Sequence, residues 1–149
     1  MKKEESRELR TEKSFKVPID LMWDAWTNPK HLANWWGPLG FTITIHEMDL
    51  SEGGEWRLTL HGPDGTNFPN RSVFKQIIPN QKIVFEHFNP HFLATIIFDS
   101  NTETTKVEWT LEFDTVEMRE IIVSAHKADD GQRQNLEKLE KYLSTILMP

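Results

Sequence analysis

From Glu8 to Val17 the chain alternates: Leu9, Thr11, Lys13, Phe15 and Val17 against Glu8, Arg10, Glu12, Ser14 and Lys16. A period of two predicts a strand with one face partly buried. At Pro18 the period lengthens. Ile19, Met22, Trp23 and Trp26 recur at helical spacing, and a proline in the first turn suits a helix running to about Trp26. Asn28-Pro29 then supplies a cap and a proline at the first helical position, predicting a second short helix through Leu32 to Trp36. Gly37-Pro38 stops it.

Beyond this breaker the period returns to two. Phe41, Ile43 and Ile45 alternate with Thr42, Thr44 and His46; Trp56, Leu58 and Leu60 alternate with Glu55, Arg57, Thr59 and His61. Ser51, Gly53 and Gly54 between them mark a hairpin, and Pro63-Asp64-Gly65 marks another turn. Strands are predicted near 71–78, 82–88, 92–99 and 105–113, separated by Pro79-Asn80, Asn89-Pro90 and Ser100-Asn101. Connections this short favour antiparallel neighbours. Asp114 and Glu117 have capping-box spacing. After them Met118, Ile122, Ala125, Gln132, Leu136, Leu139, Leu143 and Ile146 form a helical stripe to the end, interrupted at Asp129-Asp130-Gly131. An apolar sheet face and a long amphipathic helix must bury each other. The expected fold is α+β: a strand, two short helices, a meander of six strands, and a long C-terminal helix across the concave face of a curved sheet.

At 149 residues, with no linker, repeat or low-complexity segment, one domain over 1–149 is expected, with residues 1–6 a loose terminus. Such a domain buries about two-thirds of the surface of its unfolded chain, and six tryptophans and nine phenylalanines supply much of it. A net charge of −6 without a basic patch argues against nucleic acid as partner. No cysteine is present, which excludes disulfides, thiolate chemistry and zinc-cysteine sites. No apolar run reaches membrane-spanning length and no signal-peptide pattern opens the chain, so a cytoplasmic location is expected. Monomer and homodimer both remain open.

Several short motifs follow one another in a particular order: Lys13-Ser14-Phe15-Lys16-Val17-Pro18, Trp23-Asp24-Ala25-Trp26-Thr27-Asn28-Pro29, Trp35-Trp36-Gly37-Pro38, Gly53-Gly54-Glu55-Trp56 and Ile77-Ile78-Pro79. From about Glu8 onward the chain resembles the family of activator of heat-shock protein 90 ATPase homologues, within the START-like (helix-grip) superfamily. The resemblance implies a cavity between sheet and terminal helix. It implies binding of lipids, sterols, polyketides or flavonoid-like molecules, cyclase or hydrolase activity in a few members, and a co-chaperone role for the eukaryotic namesake. Two positions depart from the family pattern: Ser72 stands where a glycine is usual, and Gln132 where a tryptophan is usual. No catalytic residue transfers from the family.

The residues expected to line the cavity are Trp36, Phe41, Trp56, Phe74, Phe85, Phe98, Trp109, His126, Gln132 and Leu136. Aromatic rings offer broad contact for a flat apolar ligand, while ordinary core packing competes for each ring taken singly. Trp23 and Trp26 read as packing residues. His126 and Gln132 either orient a ligand's hydroxyl or carbonyl, or face solvent (His126) and cap the interruption (Gln132). His87 and His91 flank a proline turn that spoils metal-pair geometry; His46 and His61 fall on polar faces. No metal, cofactor or catalytic set is expected. The leading reading is a non-catalytic binder of a small hydrophobic or aromatic molecule. The alternatives are a co-chaperone-like module acting on a heat-shock ATPase, and a cyclase or hydrolase using His126 or His87 as base.

Overall fold

A computed structural model describes residues 6–88, 90–126 and 128–147, without the side chains of 125, 126, 128, 129 and 147. All of the expected loose terminus except Ser6 lies outside that description. The elements follow in the order β1 (Glu8–Phe15), α1 (Ile19–Thr27), α2 (Pro29–Leu32), β2 (Thr42–Met48), β3 (Glu55–His61), β4 (Asn67–Ile78), β5 (Lys82–Phe88), β6 (Phe92–Ser100), β7 (Thr105–Phe113), α3 (Val116–His126) and α4 (Ala128–Leu147). One antiparallel sheet takes the order β1-β7-β6-β5-β4-β3-β2. The meander lays β2 to β7 side by side, and β1 closes the far edge against β7, from Glu8↔Glu112 to Phe15↔Thr105. This is the α+β helix-grip arrangement expected from the sequence.

Two irregularities bend the sheet. The β2–β3 register shifts between Ile45 and Glu47, and the β4–β5 register between Phe74 and Gln76. An extra residue on one strand raises local twist and curls the sheet. Gly54 shapes the β2–β3 hairpin: a Cβ there would lie 2.1 Å from the Asp49 carbonyl oxygen, so no larger residue fits.

The concave face is apolar by alternation. Val107, Trp109, Leu111 and Phe113 of β7, Ala94, Ile96 and Phe98 of β6, Ile83 and Phe85 of β5, Phe74 of β4, and Trp56 and Leu58 of β3 are buried. From the other side, Leu136, Leu139 and Leu143 of α4 and Met22, Ala25 and Trp26 of α1 cover them. Burial of this kind contributes about 25 cal/mol per Å² of apolar surface. No described helix is long and apolar enough to cross a membrane.

Some local expectations are corrected. The second short helix ends at Leu32, and a turn carries the chain to Trp36, with Trp35 N–H and Trp36 N–H both donating to the Leu32 carbonyl (3.2 and 3.0 Å). Strand β4 starts at Asn67 rather than 71. Residues 67–70 pair with β3 only, because pairing with β5 begins at Arg71. Pro69 is tolerated there because that stretch is locally an edge. The capping box of Asp114 and Glu117 does not form. Thr115 Oγ1 accepts from Met118 N–H at 3.0 Å, and the Asp114 carboxylate is taken by His91 instead. Helix is described over Val116–His126 and Ala128–Leu147, and Asp129-Asp130-Gly131, expected to interrupt it, lie inside the second of these stretches.

Candidate functional site: a cleft at one end of the sheet

A large opening of about 790 Å³ lies at one end of the sheet. Pro38, Leu39 and Phe41 of the loop after α2 form one wall. Leu60 and the projecting start of β4, Asn67 to Asn70, form the second. His87 and Pro90 of the β5–β6 hairpin, Ile122 of α3, and Asp130, Gly131 and Gln134 of α4 complete it. The volume falls in the range of small-molecule sites, about 300–1,000 Å³. Leu39 and Phe68 at its mouth remain 68% and 44% exposed. Exposed apolar side chains around a concavity mark a surface that gains by being covered.

The loop wall is held by Gly37 and Lys138. Gly37 has φ +105°, and a Cβ there would press on Leu60 at 3.2 Å and Phe41 at 3.4 Å. Glycine is therefore required both by backbone and by space. Lys138, one turn beyond Gln134 on α4, donates from Nζ to the carbonyls of Gly37 (3.2 Å), Pro38 (3.3 Å) and Phe41 (3.1 Å). Its partial burial lowers the ammonium pKa. Gln134 adds a contact, its Oε1 accepting from Leu39 N–H at 3.2 Å.

On the opposite wall, buried His87 stacks on Phe92 at 4.4 Å between ring centres. Its Nδ1 meets the Pro90 carbonyl at 2.8 Å, its Nε2 faces Asn70 Oδ1, and Asn70 Nδ2 donates to the Phe68 carbonyl at 3.0 Å. Acceptors stand at both ends of this chain, so every link is made only when both ring nitrogens carry protons. Burial pushes the other way and lowers the His87 pKa, and the charge of His91 adds to it. The neutral ring favoured by burial leaves one link unmade. His91 is the opposite case. Glu86 bonds its Nε2 at 2.7 Å and Asp114 bonds its Nδ1 at 2.9 Å, and both raise its pKa, Glu86 the more.

The two histidines therefore titrate on opposite sides of the ordinary value of 6.5. His91 stabilises the fold fully below that value, and this contribution is lost as pH rises through the higher folded pKa. For His87 the neutral ring is the favoured folded form, so stability is lost as pH falls from the ordinary value through the lower folded pKa. A proton NMR titration of the ring Hε1 signals is expected to give this order, and coincident midpoints would contradict it.

The family described as Activator of Hsp90 ATPase homolog 1-like protein matches residues 16–144. The chain belongs to this family. No functionally curated protein matches it. A solved protein from Nitrosomonas europaea superposes with a TM-score of 0.86 at 21% identity, covering 95% of this chain and 97% of that one. A protein from Arthrobacter aurescens gives 0.88 at 20% identity, with 97% and 90% covered. An AHSA1-like protein from Aeromonas hydrophila gives 0.77 at 18% identity, with 95% of each covered. At these identities the likeness concerns the fold.

Within this AHSA1-like domain, nine of the ten residues expected at a cavity have described side chains, and they occupy two places. Phe41 lines the cleft, its ring 6.1 Å from that of Phe68. Trp36, Trp56, Phe74, Phe85, Phe98, Trp109, Gln132 and Leu136 lie behind it. Trp36 is half-buried and packs at 5.2 Å from Trp56, 5.3 Å from Trp109 and 6.5 Å from Phe85. Trp56 stacks on Phe74 at 5.4 Å, and Phe98 joins through Trp26 at 5.8 Å. Gln132 Nε2 donates to the Trp109 carbonyl at 3.0 Å, and Leu136 is buried one turn further on. The side chain of His126 lies outside the described residues. Buried Ser72 stands in register with Trp56 on one side and His87 on the other.

His46 and His61 do not face each other. His46 Nε2 bonds Thr59 Oγ1 and His61 Nε2 bonds Thr44 Oγ1, both at 2.7 Å. Among the described residues no group of three or more histidines and carboxylates is placed to hold a metal ion. The sequence reading missed Leu39, Leu60, Asn67, Phe68, Asn70, Ile122, Gln134 and Lys138. Phe68-Pro69 after the Pro63-Asp64-Gly65 turn was the available signal: an aromatic residue in a stretch too polar to be core.

Proposed function

We propose that this domain binds a small hydrophobic or aromatic molecule in the cleft between the loop after α2, the start of β4, and Ile122 of α3 with Gly131 and Gln134 of α4, without transforming it. The family and fold support a START-like ligand-binding or co-chaperone-type domain. The observation that favours the ligand-binding reading is the cleft of about 790 Å³ with Phe41, Leu60, Phe68 and Ile122 in its walls. Among the described lining residues a single one is charged, Asp130, and it is engaged by Arg133. An uncharged guest therefore suits it better than an ion. Binding would come from desolvating the guest and the apolar wall, less the cost of ordering both. A hydrolase or cyclase using His87 as base is disfavoured because both ring nitrogens already face protein oxygens.

The test is titration with a panel of neutral aromatic molecules, followed by tryptophan fluorescence and calorimetry. Saturable binding is expected. Phe68→Ala should weaken it about tenfold, since losing a ring from the wall removes roughly 1–2 kcal/mol of contact. Silence from the whole panel, with the host's heat-shock ATPase captured and its turnover changed, would transfer the assignment to the co-chaperone alternative.

A further inference from the structure

A second concavity, of about 420 Å³, lies on the outer face of the sheet. Arg57, Thr59 and Arg71 reach that face because they alternate along β3 and β4 with buried Trp56, Leu58 and Ser72. With His46, Pro69 and Phe88 they line the hollow. One row of cross-strand partners bounds it: Glu47 opposite Arg57, Arg57 opposite Arg71, and Arg71 opposite Phe88. Thr59 and Pro69 are partners in the next row on the same face.

Two arginines directly opposite each other repel, and such a pair is ordinarily unfavourable in a sheet. Here each is held along one edge. Glu47 Oε1 accepts from Arg57 Nε at 3.1 Å, and the Glu55 carboxylate accepts from Arg71 Nε at 2.8 Å and Nη2 at 2.6 Å. Arg71 is also fixed over the Phe88 ring, its Cζ 4.8 Å from the ring centre. These contacts leave both Nη groups of Arg57 and Nη1 of Arg71 without an acceptor among the described residues, on side chains 53% and 51% exposed. His46 spends only its Nε2, on Thr59. The hollow thus combines unused donors, held in place, with apolar surface from Pro69, Phe88 and the arginine stems.

Glu47 and Glu55 match the charges of Arg57 and Arg71, so these four groups have no surplus with which to hold a phosphate dianion. A single carboxylate asks for less, and its two oxygens fit the planar edge of a guanidinium. We propose that this hollow is a binding site for a planar aromatic molecule carrying one carboxylate, its ring against Pro69 and Phe88 and its carboxylate on the free guanidinium edges of Arg57 and Arg71. The site faces away from the cleft and does not rest on the reading of the cleft.

The experiment titrates the protein with 2-naphthoate, its uncharged amide 2-naphthamide, and inorganic phosphate, followed by the arginine Nε–H and backbone amide signals in nitrogen–proton NMR spectra. 2-Naphthoate is expected to move the Nε–H signals of Arg57 and Arg71 and the amides of Thr59 and Asn70. It should bind at least about fivefold tighter than the amide or phosphate, and more weakly as salt is raised. Arg57→Gln and Arg71→Gln are each expected to erase that preference. Arg10→Gln removes the same charge from β1, at the far end of the sheet, and is expected to leave it intact. Equal binding of 2-naphthoate and its amide, equal binding of phosphate, or the same loss in Arg10→Gln overturns the proposal. Shifts confined to Leu39, Leu60 and Gln134 overturn it too and leave the cleft reading standing. Shifts at Arg57 and Arg71, with silence from the panel of neutral aromatic molecules, support the outer site and count against the cleft reading alone.

Discussion

Trp35→Ala is expected to cost about 3–5 kcal/mol of folding stability, the range for deleting a large buried aromatic side chain. Trp35 is fully buried, its Nε1 donates to the Ala25 carbonyl at 3.0 Å, and its ring packs at 4.8 Å on Trp26 and 5.5 Å on Trp36. The substitution would leave a void where α1 meets the turn after α2, and a buried carbonyl without its donor. Against a total of about 5–15 kcal/mol for a domain, that is a large share, and the melting temperature should fall by roughly 10–15 °C. Trp35→Phe separates the two contributions. It keeps most of the ring and loses the hydrogen bond, and about 1–3 kcal/mol is expected. Urea unfolding of both variants checks the values; a loss below about 1 kcal/mol for the alanine variant would show that the site collapses around the gap.

Lys138→Met is the second large effect, and it acts on stability and binding together. Methionine retains the apolar stem but none of the donors, so the carbonyls of Gly37, Pro38 and Phe41 lose their shared ammonium. Hydrogen bonds to charged groups contribute about 1.5–3 kcal/mol. Because the three carbonyls share one partly solvated amine, a combined loss of about 2–3 kcal/mol is expected. The same loop carries Pro38, Leu39 and Phe41 into the cleft, so ligand affinity should fall with it, and amide exchange at 37–41 should quicken. Lys138→Arg is expected to recover only part of the loss: a planar guanidinium does not direct its donors at three carbonyls as a compact ammonium does. Unchanged stability and unchanged exchange in Lys138→Met would show that the loop is held by its packing on Leu60 alone.

What could be read from the sequence was what depends on near neighbours in the chain. The alternation of Val107, Trp109, Leu111 and Phe113 placed β7 and its buried face, and Asn28-Pro29 placed the start of α2. The aromatic residues expected at a cavity were legible as inward-facing, because period two assigns a face. Whether an inward face meets solid packing or open space depends on how far the sheet curves from the helices. That follows from the two register shifts, which no local pattern announces.

Most of the cleft was hidden for a related reason. Asn67, Phe68 and Asn70 belong to a stretch that reads as a turn, and become a wall only because β4 outruns β5. Lys138 reads as a solvent-facing lysine on an amphipathic helix, and only tertiary packing brings three backbone carbonyls from 97 to 101 residues away to its amine. Asp114 was assigned to a helix cap by its spacing and instead bonds His91, an imidazole held between two carboxylates, while Thr115 takes the capping role by accepting from Met118 N–H. The sequence by itself thus determined the elements, their faces and the family, since these are set by backbone preference and periodic burial. Only the tertiary structure decided where the opening lies and what holds the loop beside it, since those depend on distances between residues far apart in the chain.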